Sequence, residues 1–360
     1  MSYSAGRRRG ISTKGEEKKM SSELRKEPII GRWVIVRTEN ILTPEKYIKE
    51  NNSPRRNLNS VFAYGREYMT PPEVDAIRAE DTHPNNTGWK VRVVPNKFPA
   101  LKIEGELDKR GYGVYDLCNG VGAHEVVIET PDPFKRMADF SVQELANVFK
   151  AYQRRCEDLA KDQRFKYIAI FKNFGRSAGA SLEHEHSQII ALPMVPKYVK
   201  EKIDGSENYY RFHGRSIYED ILQQEYTEKT RIITENEDFV AFCPYAQRYA
   251  FETWILPKNI ESQFLDIKEK GRQSLSGILK ECLLRMREVL SNPSYNYYLQ
   301  IQPTNYKNTV AFLWHIEIVP KLQVVDELEW DSGFYVVHTP PEVAAKYLRE
   351  AVVPAETALA

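Results

Sequence analysis

Cysteine is scarce in this chain. The 360 residues hold four, Cys118, Cys156, Cys243 and Cys282, far apart and with no Cys-x-x-Cys pair. That argues against a disulfide framework and a cysteine-built zinc site, and makes a reducing cytoplasm the expected setting. Net charge is scarce too. Lysine plus arginine total 51 and aspartate plus glutamate 50, which leaves +1. A domain that holds nucleic acid by bulk charge is usually strongly basic, so no nucleic-acid partner is expected. No apolar run approaches the roughly 20 residues that span a bilayer, so no membrane partner is expected either. Met1–Lys26 is rich in Arg, Lys, Ser and Gly and lacks the apolar h-region of a secretory signal. Its expected state is a disordered basic tail, with residues 349–360 as a second tail.

What is present is an ordinary globular balance, 42% hydrophobic and 28% charged, in a length that suits two domains. Short β-branched and aromatic runs predict strands at Trp33–Thr38, Trp89–Val94, Glu125–Thr130, Tyr167–Lys172, Gln188–Leu192, Phe239–Cys243, Thr253–Leu256, Asn296–Gln302 and Ala311–Val319. Two helices stand out. One opens with Ser141-Val-Gln-Glu144, a capping-box pattern, and repeats Leu145, Val148, Phe149, Tyr152, Cys156 and Leu159 at helical spacing. The other carries Leu275, Ile278, Leu279, Cys282, Leu283, Met286 and Leu290 on one face. Both stripes read as core, with Cys156 and Cys282 as buried fillers.

These elements repeat. A strand ending at Pro131, a helix and two strands ending at Pro193 match a strand ending at Pro257, a helix and two strands ending at Pro320. The spans are about 62 and about 63 residues, which suggests duplication of one β-α-β-β unit. The expected fold is α+β, with two related halves, residues 27–200 and 225–348, forming a mainly antiparallel sheet flanked by helices. Polar, tyrosine-rich residues 201–224 read as the connection between them.

The stretch richest in chemistry is Phe171-Lys-Asn-Phe-Gly-Arg-Ser-Ala-Gly-Ala-Ser-Leu-Glu-His-Glu-His-Ser-Gln188. On a strand His184, His186 and Gln188 would share one face. The loop before them offers backbone N–H groups at Gly175 and Gly179, and donors at Asn173, Arg176, Ser177 and Ser181. An imidazole can attack phosphorus at neutral pH without prior deprotonation. The pattern therefore fits a phosphate site with a nucleophile. It also fits two histidines on a half-buried strand, or a metal site.

The run Asn173…Gly179-Ala-Ser181…His184-x-His186-x-Gln188 does not stand alone. Arg32-Trp-Val-Ile-Val36, Met69-Thr-Pro-Pro-Glu73, Val93-Val-Pro-Asn-Lys-Phe-Pro-Ala-Leu101, Gly122-Ala-His-Glu-Val-Val-Ile-Glu-Thr-Pro131 and Trp314-His-Ile-Glu-Ile-Val-Pro320 occur with it. Together, from about Leu24 to about Leu348, they resemble the galactose-1-phosphate uridylyltransferase family, a branch of the histidine-triad superfamily. The resemblance implies two tandem histidine-triad-like halves and a homodimer; no cofactor is expected. It implies His186 as the nucleophile that takes a nucleoside monophosphate, and Gln188 as the glutamine that hydrogen-bonds the transferred phosphoryl group. An amide donates a hydrogen bond without supplying a proton, which favours transfer over hydrolysis. Asn173, Gly179 and Ser181 match phosphate contacts, Asn96 and Phe98 the nucleotide-binding stretch, and Glu329 a carboxylate that touches the hexose. Arg176, with Lys97, is expected to hold small anions.

The chain departs from that pattern in instructive places. Where many relatives hold zinc, it has Ser60, Ala63 and Pro133, so that only His184 of the set remains. Gln300 and Leu313 stand at places of a second metal site, leaving His315, and Ser216 and Glu219 replace another cysteine pair. No metal is expected; the alternative is a site rebuilt from His184, Glu185 and another carboxylate. His315 reads as a remnant of the duplicated site. His124 is expected to cap or to hydrogen-bond in the core rather than to catalyse.

Lys97 follows Asn96 where a carboxylate is frequent, and Glu329-Trp-Asp-Ser-Gly333 alters the hexose end. The leading expectation is a nucleotide donor and a small anionic acceptor: adenylyl transfer from adenylylsulfate to phosphate through a covalent nucleotidyl-histidine. The alternatives are a UDP-glucose–hexose-1-phosphate uridylyltransferase, an ADP-sugar phosphorylase, and a nucleotide-binding regulator without catalysis.

Overall fold

A computed structural model describes residues 21–47, 50, 52, 60–306, 311–322 and 333–353. The strands in chain order are β1 Ser22–Lys26, β2 Trp33–Arg37, β3 Asp75–Arg78, β4 Trp89–Pro95, β5 Arg110–Tyr112, β6 Tyr115–Leu117, β7 Ala123–Ile128, β8 Tyr167–Phe174, β9 His186–Leu192, β10 Ile232–Glu235, β11 Phe239–Phe242, β12 Thr253–Pro257, β13 Tyr295–Gln300, β14 His315–Pro320 and β15 Tyr335–Val337. The α-helices are α1 Val142–Leu159, α2 Lys197–His213, α3 Ile217–Glu228, α4 Glu269–Leu290 and α5 Pro341–Glu350.

Ten strands form one sheet in the order β10-β11-β12-β14-β13-β8-β9-β7-β4-β3, antiparallel throughout. The order is symmetric about the β13–β8 pair. Unit β7-α1-β8-β9 lies on one side and β12-α4-β13-β14 on the other, so the repeat in the sequence is a repeat in space. At the seam Asn173 pairs with Asn296. The α+β expectation with two related halves holds.

The sheet separates two layers of packing, because side chains alternate across a strand. On one face Leu145, Phe149, Tyr152 and Cys156 of α1 and Leu275, Leu279, Cys282 and Met286 of α4 join Val127, Ile170, Ile189, Ile255, Leu299 and Ile316 in one buried core. Helix α1 starts at the expected capping box: Ser141 Oγ accepts from the Glu144 N–H at 3.2 Å, and the Glu144 carboxylate accepts from the Ser141 N–H at 2.7 Å. On the other face the two halves differ. Ile217, Tyr218 and Leu222 of α3 cover Val240, Phe242, Trp254 and Leu256, and Val199 and Ile203 of α2 cover Tyr167 and Phe312. Among the described residues, the first half has Phe62 and its neighbours over Val94, Val126 and Ile128. That thinner cover leaves room for a site on this face of the first half.

Three expectations change. Ser22–Lys26, placed in the basic tail, is a strand paired antiparallel to β2, and β15 joins β2 in parallel to complete a small sheet. Residues 1–20 of that tail lie outside the described residues. The polar connection is two amphipathic helices whose apolar stripes are too widely spaced to read as a core element. Arg349 and Glu350, assigned to the C-terminal tail, finish α5; of that tail, residues 354–360 lie outside the described residues.

Candidate active site

His186 is the first residue of β9, and its face is set by the register: His186 lies opposite Ile128 and Gln188 opposite Val126. Its Nδ1–H donates to the carbonyl of His184 at 2.7 Å. The proton therefore sits on Nδ1, and Nε2 keeps its lone pair. The ring is buried, with the edge of Phe62 5.5 Å away between centroids. Burial, reinforced by the nearby Lys172 ammonium, lowers its pKa to about 4. The imidazole is neutral at pH 7 and presents a bare nitrogen, which is the state a nucleophile needs.

This has a consequence for stability. The unfolded histidine binds a proton near pH 6.5, and the folded one resists it down to about 4. The unfolded state thus holds more protons in that window, so stability falls as pH drops from about 6.5 towards 4. At about 1.4 kcal/mol per unit, His186 alone accounts for up to about 3 kcal/mol. His184 and His315, also held low by burial, act in the same direction. Urea midpoints measured from pH 7 to pH 5 should fall steadily. A flat profile would contradict a buried neutral His186.

The loop between β8 and β9 is shaped by two glycines. Gly175 has φ +81°, and a Cβ there would run into Ser294; Gly179 has φ +87° and closes a single 3₁₀ turn, Arg176–Ala178. The seam steadies the loop, since Asn296 Nδ2 lies 2.7 Å from Asn173 Oδ1 and 2.8 Å from the carbonyl of Ala178, donating to both. A cavity of about 300 Å³ opens here, lined among others by Asn173, Arg176, Ser181, His184 and His186. Five of the sequence-derived residues thus meet at one cavity. Gly179 shapes the same loop. Arg136 and Lys172 line it as well, and both are new. Arg136 donates to the carbonyl of Glu183, and its buried Nε has no hydrogen-bond partner among the described residues. Lys172 pairs with Glu129 and Glu185 on the helix side of the sheet and donates to the His186 carbonyl at 3.1 Å. Glu50 and Asn52 also reach the cavity wall, bonded to Ser294. Lys172 lies inside the Phe171–Gln188 stretch, whereas no local motif announces Glu50, Asn52 and Arg136.

Gln188 belongs to a second cluster. Its Oε1 lies 2.7 Å from His124 Nε2, and Asn96 Nδ2 lies 3.1 Å from the same nitrogen. His124 therefore has the hydrogen-bonding role expected of it, but to a site residue. Lys97 and Phe98 are exposed on the loop after β4 and do not line the cavity. The Phe98 N–H donates to Asn96 Oδ1 at 2.9 Å. Glu329 lies outside the described residues.

His184 precedes β9 rather than continuing it, and both its nitrogens are engaged. Nε2–H donates to the Thr130 carbonyl at 2.7 Å, and Nδ1 accepts from the hydroxyl of Ser60 at 2.7 Å. Ser60, which the resemblance sets at a zinc-ligating cysteine position of many relatives, here makes a serine–histidine hydrogen bond. Ser216, at another such position, caps α3 by accepting from the Tyr218 N–H at 3.3 Å. Among the described residues no three His, Cys, Asp or Glu side chains cluster closely enough to hold a metal ion. Dialysis against a chelator should leave the melting temperature unchanged. Stoichiometric zinc in the purified protein would contradict this.

The model of the galactose-1-phosphate uridyl transferase N-terminal domain matches residues 12–196, and that of the C-terminal domain matches residues 201–325. The chain belongs to this family. It is 35% identical over 338 residues to the ADP-glucose phosphorylase of Arabidopsis thaliana, covering 92% of this chain and 93% of that protein. It is 27% identical to the galactose-1-phosphate uridylyltransferase of Thermotoga maritima over 92% of this chain and 99% of that one. A crystal structure of the Arabidopsis phosphorylase with bound ADP-glucose superposes with a TM-score of 0.77 at 33% identity, over 92% of this chain and all of that chain. A uridylyltransferase structure at 22% identity, TM-score 0.71, supports the fold. The chain is accordingly a nucleotidyltransferase of this family. No helix among the described residues is long and apolar enough to cross a membrane.

Proposed function

We propose that the protein transfers an adenylyl group from an ADP-sugar, with ADP-glucose the first candidate, to inorganic phosphate. The observation that carries the chemistry is the bare Nε2 of a neutral His186 at the wall of an anion-sized, arginine-bearing cavity. The similarity to a phosphorylase of ADP-glucose favours the donor. It supports one of the alternatives read from the sequence in preference to adenylylsulfate.

In the first step the Nε2 lone pair attacks the α-phosphorus. The N–P bond forms, the α–β anhydride bond breaks, and glucose 1-phosphate leaves with the electron pair. A phosphate monoester is a weak base, so no general acid is needed. In the second step a phosphate oxygen attacks the same phosphorus, the N–P bond breaks, ADP is released and His186 returns neutral. Asn173, Ser181 and the loop amides hold the non-bridging oxygens, and Arg176 and Arg136 the incoming or leaving anion. The homodimer implied by the resemblance is part of the same proposal, and sedimentation tests it.

Intact-mass measurement after incubation with ADP-glucose, UDP-glucose or adenylylsulfate, without acceptor, decides the donor. Retention of AMP from ADP-glucose, released by phosphate as ADP, is the expected result. Retention of UMP alone, released by galactose 1-phosphate, would select the uridylyltransferase reading instead.

A further inference from the structure

The geometry points to His124 as a positioning residue that sets which end of the Gln188 amide faces the transferred phosphoryl group. The inference rests on the transfer reading and adds a specific device to it. An amide side chain has a roughly two-fold terminal torsion, so Gln188 by itself could present oxygen or nitrogen to the substrate. Only the nitrogen donates.

The choice is made by a chain of hydrogen bonds that begins at the backbone. The N–H of Ala100 lies 3.0 Å from His124 Nδ1. A backbone N–H can only donate, so Nδ1 is an acceptor and the ring proton is on Nε2. That Nε2–H points to Gln188 Oε1 at 2.7 Å. A flipped Gln188 would set its NH₂ group against an N–H at that distance, two donors face to face. Asn96 cannot relieve such a clash. Its Oδ1 is held by the Phe98 N–H at 2.9 Å, so the nitrogen of Asn96, 3.1 Å from Nε2, is a second donor and makes no hydrogen bond to it. The Gln188 oxygen is therefore tied to His124, and its NH₂ group is left for the phosphoryl oxygen.

The strand register makes the arrangement possible. His124 lies opposite Ile190 and Val126 opposite Gln188, so His124 and Gln188 are diagonal neighbours on one sheet face. That face is the one His186 occupies.

The test measures the rate at which His186 acquires a nucleotide, by rapid quench and intact mass, with ADP-glucose, UDP-glucose and adenylylsulfate as donors. His124→Ala should slow adduct formation about tenfold, less than the about 100-fold or more of losing a preorganised donor outright. The donor KM should stay within about twofold, and the melting temperature should hold. His124→Gln, whose amide N–H can reach the Gln188 oxygen, should recover most of the rate. In a Gln188→Ala background, His124→Ala should cost nothing further. An equal loss in that background, or a loss confined to KM, would overturn the assignment while leaving the transfer reading intact. No adduct on the wild-type protein with any of the three donors would overturn both.

Discussion

His186→Asn should abolish the covalent adduct and lower turnover by about 10⁴-fold or more, because the side chain proposed to form the bond to phosphorus is gone. Loss of a nucleophile alone can cost about 10⁶ where it acts with partners; here the loop donors and cavity charge would still bind and polarise the donor. Binding should therefore survive, with an affinity for ADP-glucose close to that of the unmodified protein. The fold should survive too. Asparagine keeps a short N–H donor near the carbonyl that now receives Nδ1–H of His186, and the ring's desolvation cost disappears. A linked result follows from that last point. The loss of stability between pH 6.5 and 5 should be shallower in the variant, since one of the buried neutral histidines no longer resists charging. Full labelling of the variant, or turnover within tenfold of normal, would remove His186 from the mechanism.

The proposed nucleophile was legible as a candidate because its signal is local. A strand, a small-residue loop and alternating polar residues sit within 18 consecutive positions, Phe171–Gln188. The duplicated fold was legible for a similar reason, since two long apolar helices and prolines at matching spacing mark each copy. What escaped was assembled from afar. Arg136 reaches the cavity from the segment before α1, and Glu50 and Asn52 reach it through Ser294 of the second half. The Asn173–Asn296 bond exists only because β8 and β13 meet at the seam. The sequence marks His124 as a hydrogen-bonding histidine, but its partner lies 64 positions away, and only the β7–β9 register brings them together. The helices α2 and α3 escaped because their exposed faces are charged and their buried faces narrow. Their role is visible only against the sheet they cover.

That role explains why two similar strands have different fates. His315 begins β14 as His186 begins β9, and its Nδ1–H donates to the Leu313 carbonyl at 2.9 Å, in the same pattern. Its Nε2 lone pair, however, meets an ammonium: Lys202 Nζ of α2 lies 2.9 Å away and also pairs with Glu317, where the first half has Gln188. Tyr218 and Trp254 close over the ring, with centroids 5.8 Å and 5.2 Å from it. Burial alone would push the Glu317 carboxyl up, but Lys202 and Arg248 overcome that and hold it well below the usual carboxylate range. The second copy is thus a filled, charged core rather than a site.

Lys202→Met should cost about 3–5 kcal/mol, the range for breaking a buried ion pair by removing one partner. Arg248 remains on Glu317 and places the expected value at the lower end. Adding Glu317→Leu should restore a large part of the loss, because a matched apolar pair removes the orphaned charge. The melting temperature and urea midpoint read both effects. Below the new melting point the rate of His186 labelling should stay within about twofold, since the first-half cavity shares no residue with this cluster. A Lys202→Met protein of unchanged stability would mean that the ammonium is not what holds α2 on the sheet. A large loss of labelling in the folded variant would mean that the two halves are coupled through the β8–β13 seam.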